Sequence, residues 1–128
     1  MSGLRALPVL TCADPETTAE FLAEGLGFRL LGWRHDAEGR AELGFLRLGG
    51  VALAVQRGEP PPPGGWSAIV FVDDARDFAA FALAQGVALT RGPEDTPRAC
   101  REVEVTAPEG HVLLFAEDLS PGPEGPGF

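Results

Sequence analysis

Tyrosine is absent from this chain, methionine occurs once and cysteine twice. Cys12 and Cys100 stand in no metal-binding or redox spacing. They read as two reduced thiols of a cytoplasmic protein, with a single disulfide left open. Basic residues are scarce: 10 Lys+Arg face 19 Asp+Glu, a net charge of −9. Duplex nucleic acid is bound largely by neutralising phosphates, so no nucleic-acid partner is expected. Anionic membrane surfaces are disfavoured in the same way. Long apolar runs are missing too: Trp66–Val72 falls far short of the roughly 20 residues of a membrane span. No basic N-terminus leads into an apolar signal segment. Neither cysteine has a histidine at a recognisable offset, and there is no G-x-S-x-G and no glycine-rich phosphate loop. A neutral or cationic small molecule is the partner that the charge permits.

What the chain does have is enough apolar residue for one core. Its 128 residues are 45% hydrophobic, which fits a single domain. A monomer of this mass buries about two-thirds of the surface of its extended chain.

Read along the chain, Leu4–Thr11 is a strand with Pro8 in it, so it belongs at an edge. Asp14-Pro15 starts a helix that Gly27 closes. Phe28–His35, Ala41–Leu48 and Val51–Gln56 are strands. Arg57–Gly65, with four consecutive prolines, is a linker. The pattern then restarts. Trp66–Val72 is a strand, and Asp73-Asp74 opens a helix to Gln85 with Phe78, Phe81 and Ala82 on one stripe. Val87–Thr90 is a short strand, Arg91–Ala99 a loop, and Arg101–Thr106 and His111–Phe115 are strands.

The two halves overlay at an offset of about 59, where Asp14 falls on Asp73, Gly27 on Gly86 and Leu7 on Trp66. Each half is strand–helix–strand–strand–strand. The expected fold is therefore α+β: two βαβββ repeats forming an eight-stranded curved mixed sheet around a cleft, helices outside. The expected domain is 1–118, with modules 4–56 and 66–116 and the linker 57–65. Residues 119–128, rich in proline and glycine, are expected to be a disordered tail.

Two stretches then carry a family. PVLTCADPETTAEFLAEGLGF (residues 8–28) resembles the strand–helix–LGF opening of the bleomycin-resistance branch of the vicinal-oxygen-chelate superfamily. GPEDTPRACREVEVTAPEGHVLLFAE (residues 92–117) is similar to that branch's ending. The superfamily includes glyoxalases, extradiol dioxygenases and bleomycin-resistance proteins. Against its pattern, Leu22 stands where many members have Tyr, Ala107 and Glu109 replace two Asp of a turn, and Arg98-Ala99-Cys100 replace a Trp-Gly-containing loop.

Metal-dependent members hold a divalent ion on four inward side chains. The matching positions here are Leu7, Ala54, Trp66 and Leu114, with Ser67 replacing Trp66 in a second register. None of the four offers a usable donor, and a one-residue slip recruits only Gln56 or Ser67. His35 and His111 read as surface residues. Glu102 and Glu104 share one face of a strand and read as a solvated face, with acid–base work as the alternative. No cofactor is expected and no catalytic residue is named.

The aromatic candidates are Trp66 and Trp33, with Phe45 more plausibly core. In the resistance branch, cleft aromatics stack on the planar rings of the drug, and a flat ring gains from area and from a nearby cation. Both tryptophans also suit a plain core or dimer contact. The expected ligand-binding set is Trp66, Trp33, Leu7, Ala54, Leu114 and Phe45. The resemblance implies a metal-free protein that binds a small aromatic or cationic compound, an antibiotic among the candidates. The alternatives are a metal-dependent lyase or dioxygenase of the same fold, and a family member of uncommitted role. It also implies a homodimer, since the resistance branch builds each cleft from two chains, and the stiff Pro60–Pro63 linker can hold the halves apart.

Overall fold

A computed structural model describes residues 1–123. The contacts divide the chain into two units, Met1–Pro63 and Gly64 onward. In the first, strand β1 (Val9–Cys12) is followed by helix α1 (Pro15–Glu20), which continues as a π-helical turn over Phe21–Gly25. Strands β2 (Arg29–His35), β3 (Ala41–Leu48) and β4 (Val51–Arg57) complete it. The second holds β5 (Ala68–Phe71), α2 (Ala75–Ala84), β6 (Arg91–Asp95), β7 (Cys100–Thr106) and β8 (Val112–Asp118). Each unit is one βαβββ repeat. The eight strands are hydrogen-bonded as two four-stranded mixed sheets, in the orders β1-β4-β3-β2 and β5-β8-β7-β6. β1 runs parallel to β4, and β5 to β8; the remaining pairs are antiparallel.

Both helices start on an aspartate. The Asp14 carboxylate accepts the Thr17 N–H at 3.2 Å, and that of Asp74 accepts the Asp77 N–H at 3.0 Å. Both end on a glycine with positive φ, Gly27 and Gly86. Behind Gly86, the Val87 N–H returns to the Ala82 carbonyl, the six-to-one bond of a Schellman end. Behind Gly27, the Phe28 N–H returns to Leu22, one residue further back. The first helix therefore holds one extra residue between cap and glycine, taken up as the π-helical turn.

That residue corrects the sequence overlay. Val9 pairs with Ala54, and Ile69 with Leu114. The first strands thus match at an offset of 60, and Ser67, not Trp66, is the counterpart of Leu7. Asp74 rather than Asp73 is the counterpart of Asp14.

Alternation gives each sheet two faces. In the first unit Leu10, Leu46, Leu53 and Val55 are fully buried, as is Leu22 of the first helix. In the second, Val103, Val105, Leu113 and Phe115 are fully buried, and Phe78 of α2 stacks on Phe115 with ring centroids 4.0 Å apart. The helix stripe differs from the expected one. Ala75, Ala79 and Ala82 are the buried residues of α2, and Phe81 is exposed. Small alanines let the helix approach the sheet, and one phenylalanine then fills the remaining gap.

Two further expectations are corrected. Residues 87–90 form a connection, and the strand falls on Arg91–Asp95, where a loop was expected. Pro93 is tolerated because β6 is an edge strand with a register break between Arg91 and Glu94. Gly92 is needed there: its φ is +82°, and a Cβ would lie 2.1 Å from the Glu102 carbonyl oxygen. Arg57, expected in the linker, ends β4 and binds the Ala41 and Ala13 carbonyls and the Glu16 carboxylate. Of the expected tail, Leu119 donates its N–H to the Ala99 carbonyl, while residues 124–128 lie outside the described residues. Among the described residues no helix is long and apolar enough to cross a membrane.

Candidate functional site

The sheet faces opposite the buried rows carry the candidates. In the first unit the cross-strand registers place Val9, Ala54 and Phe45 in one row, and Leu43 and Gln56 in the next. Ala54 is buried, Phe45 half-buried, and Leu7 and Val9 exposed. Trp33 lies elsewhere. It pairs with Gly44 in the ladder, and its ring fills the space a Cβ of Gly44 would take, 2.7 Å from the nearest ring atom. Gly44 alternates with Phe45, so the two aromatics start from opposite faces.

They meet again at the sheet edge. A register break between Leu30 and Gly32 bends β2. A hollow of about 360 Å³ there is lined by Leu31, Gly32, Trp33, Arg34 and Phe45. Beside it, a second hollow of about 300 Å³ is lined by Arg34, His35, Glu42, Leu43 and Gln56. Arg34 borders both, and its guanidinium lies 5.9 Å from the Phe45 ring centroid.

The second unit puts charge where the first has hydrocarbon. Glu102 stands opposite Ala116, and Glu104 opposite Leu114, on the face that alternates with Val103 and Val105. The solvated pair expected from the sequence is not what forms. Glu102 is 1% exposed and sits at the centre of a network. Arg98 closes on it with both Nε (2.9 Å) and Nη2, Arg91 Nη2 donates at 3.1 Å, and the Thr96 hydroxyl donates at 3.0 Å. Arg91 also pairs with Glu94 and Glu104. Arg98 holds the Glu102 carboxyl below its usual range, with Arg91 and Thr96 adding to the effect against the opposing influence of burial. The Glu94 contact raises Arg91 further above its already high range.

The network ends at an aromatic. The Arg98 guanidinium carbon lies 5.0 Å from the Trp66 ring centroid, within cation–π reach, and Trp66 is 40% exposed. The loop that carries Arg98 is closed by Thr96 and Ala99. The Thr96 N–H binds the Cys100 carbonyl, the Ala99 N–H binds Thr96, and Ala99 has a φ of +56°. Nothing in the spacing of Trp66, Arg91, Arg98 and Glu102 announces this meeting. The available signal was the glutamate alternation of β7, with one arginine at the start of β6 and another in the turn that leads into β7.

His111, expected at the surface, is 5% exposed and shares a 2.7 Å hydrogen bond with the Ser67 hydroxyl. His35 is exposed. Cys12 and Cys100 are both buried, and burial pushes the Cys100 thiol up. Ser67 is the only oxygen donor added by the corrected register, and its hydroxyl is committed to His111. Leu7, Ala54 and Leu114 offer hydrocarbon. Among the described residues no three His, Cys, Asp or Glu side chains gather as a metal site. The residues at the four slots do not fit a divalent cation.

Two βαβββ units in tandem, each with one helix on a mixed four-stranded sheet, define the class of fold. The sequence pattern of the Glyoxalase/Bleomycin resistance protein/Dioxygenase superfamily matches residues 6–115, and the chain belongs to that superfamily. Among solved structures it is similar to TioX from Micromonospora sp. ML1, with 29% identity and a TM-score of 0.72, over 90% of this chain and 98% of TioX. A bleomycin-binding protein complexed with bleomycin is similar at 22% identity and a TM-score of 0.73, over 90% of this chain and 98% of its own. TnmS3, an antibiotic binding protein from Streptomyces sp. CB03234, is similar at 22% identity and 0.70, over 91% and 98%. The last two likenesses concern the fold alone. No curated protein sequence matches the chain.

Proposed function

We propose that the protein binds and sequesters a small planar aromatic compound, an antibiotic among the candidates, without a metal ion. The observation that carries this reading is Trp66, a large ring left 40% exposed while a guanidinium fixes it on one side. An exposed, held aromatic is a stacking platform. The hydrocarbon at Leu7, Ala54 and Leu114 supports the absence of a metal. Two of the similar structures are described as antibiotic binders, which is the chemistry this reading carries over. A metal-dependent lyase or dioxygenase would need donors that these slots do not supply.

The reading includes a cytoplasmic homodimer. Val9 of β1 and Ile69 and Phe71 of β5 are each more than 40% exposed, on the faces that also carry Ala54 and Leu114. A second copy covering these rows would bury them. Sedimentation at tens of micromolar is expected to give a dimer; a monomer would contradict this part. Binding itself is tested by thermal-shift screening against bleomycin-type glycopeptides and other planar aromatics, where a ligand at 100 times its Kd raises stability by about 2.7 kcal/mol. A panel with no shift would contradict the reading.

A further inference from the structure

We propose that Arg98 and Trp66 together form a subsite for the anionic group of a planar ligand: a carboxylate, sulfonate or phosphate borne on or beside an aromatic ring. The proposal rests on the binding role above and names the charge of what is bound. Overall the chain is acidic, with a net charge of −9, and this favours cations at long range. At Trp66 the charged group nearest the ring is nonetheless a cation, the Arg98 guanidinium.

Three observations carry it. First, the Arg98 side chain is 55% exposed, whereas Glu102, which holds it, is 1% exposed. Arg91 and Thr96 also donate to that carboxylate, and Arg98 completes its partners while keeping more than half of its own side chain open to solvent. Second, only the Nε–Nη2 edge of Arg98 is used on Glu102. Among the described residues Nη1 has no hydrogen-bond partner, and an arginine fork is suited to bidentate anion binding. Third, the guanidinium lies over the indole, so a ring stacked beside Trp66 brings its substituent to Arg98.

A cationic ligand is the competing occupant of an indole face. To take it, the ligand would have to push Arg98 away or sit against it. Displacing Arg98 would strip a buried carboxylate of its two-point partner, which is strongly unfavourable. Sitting beside it places like charges together at short range. The anion meets neither cost. Glu102 is thus a positioning residue that fixes the reading group.

The test uses the full chain and three probes of one shape: 2-naphthoate, 2-naphthamide and 2-naphthylmethylammonium. Calorimetry gives affinities, and the Trp66 indole N–H resonance, assigned with Trp66→Phe, reports the place of binding. Naphthoate is expected to bind at least about 10-fold tighter than the amide, with the ammonium weakest, and the preference should shrink with salt. Arg98→Gln should remove the preference, so that naphthoate binds no more than about twofold tighter than the amide in that variant. Glu102→Gln should reduce the preference at least about threefold in a protein that still melts cooperatively. Arg98→Gln decides the question if that variant does not fold. Equal affinity for the three probes, tighter binding of the ammonium, or an unchanged preference in Arg98→Gln would overturn the subsite and leave the binding role standing. Failure of all three probes to bind or to move the Trp66 resonance at millimolar concentration would overturn both.

Discussion

Arg98 bridges Glu102 and Trp66: its fork closes on the buried carboxylate, and its guanidinium carbon stands 5.0 Å from the indole centroid. A group that is invisible from solvent thereby sets the position of two groups that are not. A buried carboxylate is costly to desolvate and is kept only when fully partnered. Here its partners make the exposed surface.

That arrangement has a pH signature. Glu102 titrates below its usual range when folded. Its contribution to stability is therefore complete above the unfolded value of about 4.3 and is lost as pH falls through the lower, folded value. Urea unfolding of the wild type is expected to weaken from about pH 5 downward, and Glu102→Gln to lose less over the same window. At neutral pH the glutamine variant should be less stable by about 1–3 kcal/mol. Parallel pH profiles would show that the ion pairs contribute nothing to folding.

The helix contacts make a sharper prediction than the sequence does. Phe78 stacks on Phe115, whereas Phe81 is exposed. Phe78→Ala is expected to cost about 2–4 kcal/mol, and Phe81→Ala less than about 0.5 kcal/mol. Equal losses in denaturant melts would restore the expected stripe of Phe78, Phe81 and Ala82.

Gly44 is where Trp33 is seated. A methyl group there would meet the indole at 2.7 Å, so Gly44→Ala is expected to cost about 1–3 kcal/mol. In a Trp66→Phe background the Trp33 emission should shift to the red as its ring is lifted. An unchanged spectrum and melting point would mean that the ring has room to move.

Much of this architecture can be read from residue order. Asp14-Pro15, Gly27 and Gly86 punctuate helices because caps and positive φ have few substitutes. Alternation and turn glycines delimit Ala41–Leu48 to the residue. The legible part stops at features decided by one residue or by distant partners. The extra residue of the first helix is hidden inside a π-helical turn, and this shifts the overlay by one and puts Ser67, not Trp66, in the slot matched to Leu7. The Ser67–His111 contact spans 44 residues, and the Arg98–Trp66 contact crosses from the segment before β5 to the turn before β7. No local pattern encodes either. Strand β6 was missed because Pro93 and Gly92 read as loop residues, and only an edge with a register break accommodates both.

Metal content follows from the donor set. Purified protein is expected to retain less than about 0.1 divalent ion per chain after dialysis, since Leu7, Ala54 and Leu114 bring no oxygen or nitrogen. Elemental analysis showing close to one zinc, nickel, manganese or iron would contradict this and favour an enzyme.

The central claim is that this chain binds a planar compound at Trp66 without a metal. Calorimetric titration of metal-stripped protein with the strongest hit of the antibiotic screen tests it most directly, in the wild type, Trp66→Phe and Trp66→Ala. Saturable binding is expected, weakened roughly 5- to 150-fold in Trp66→Ala and less in Trp66→Phe, since losing one aromatic anchor costs about 1–3 kcal/mol. Binding that appears only after a divalent metal is restored, or an affinity unchanged in a folded Trp66→Ala protein, would contradict it.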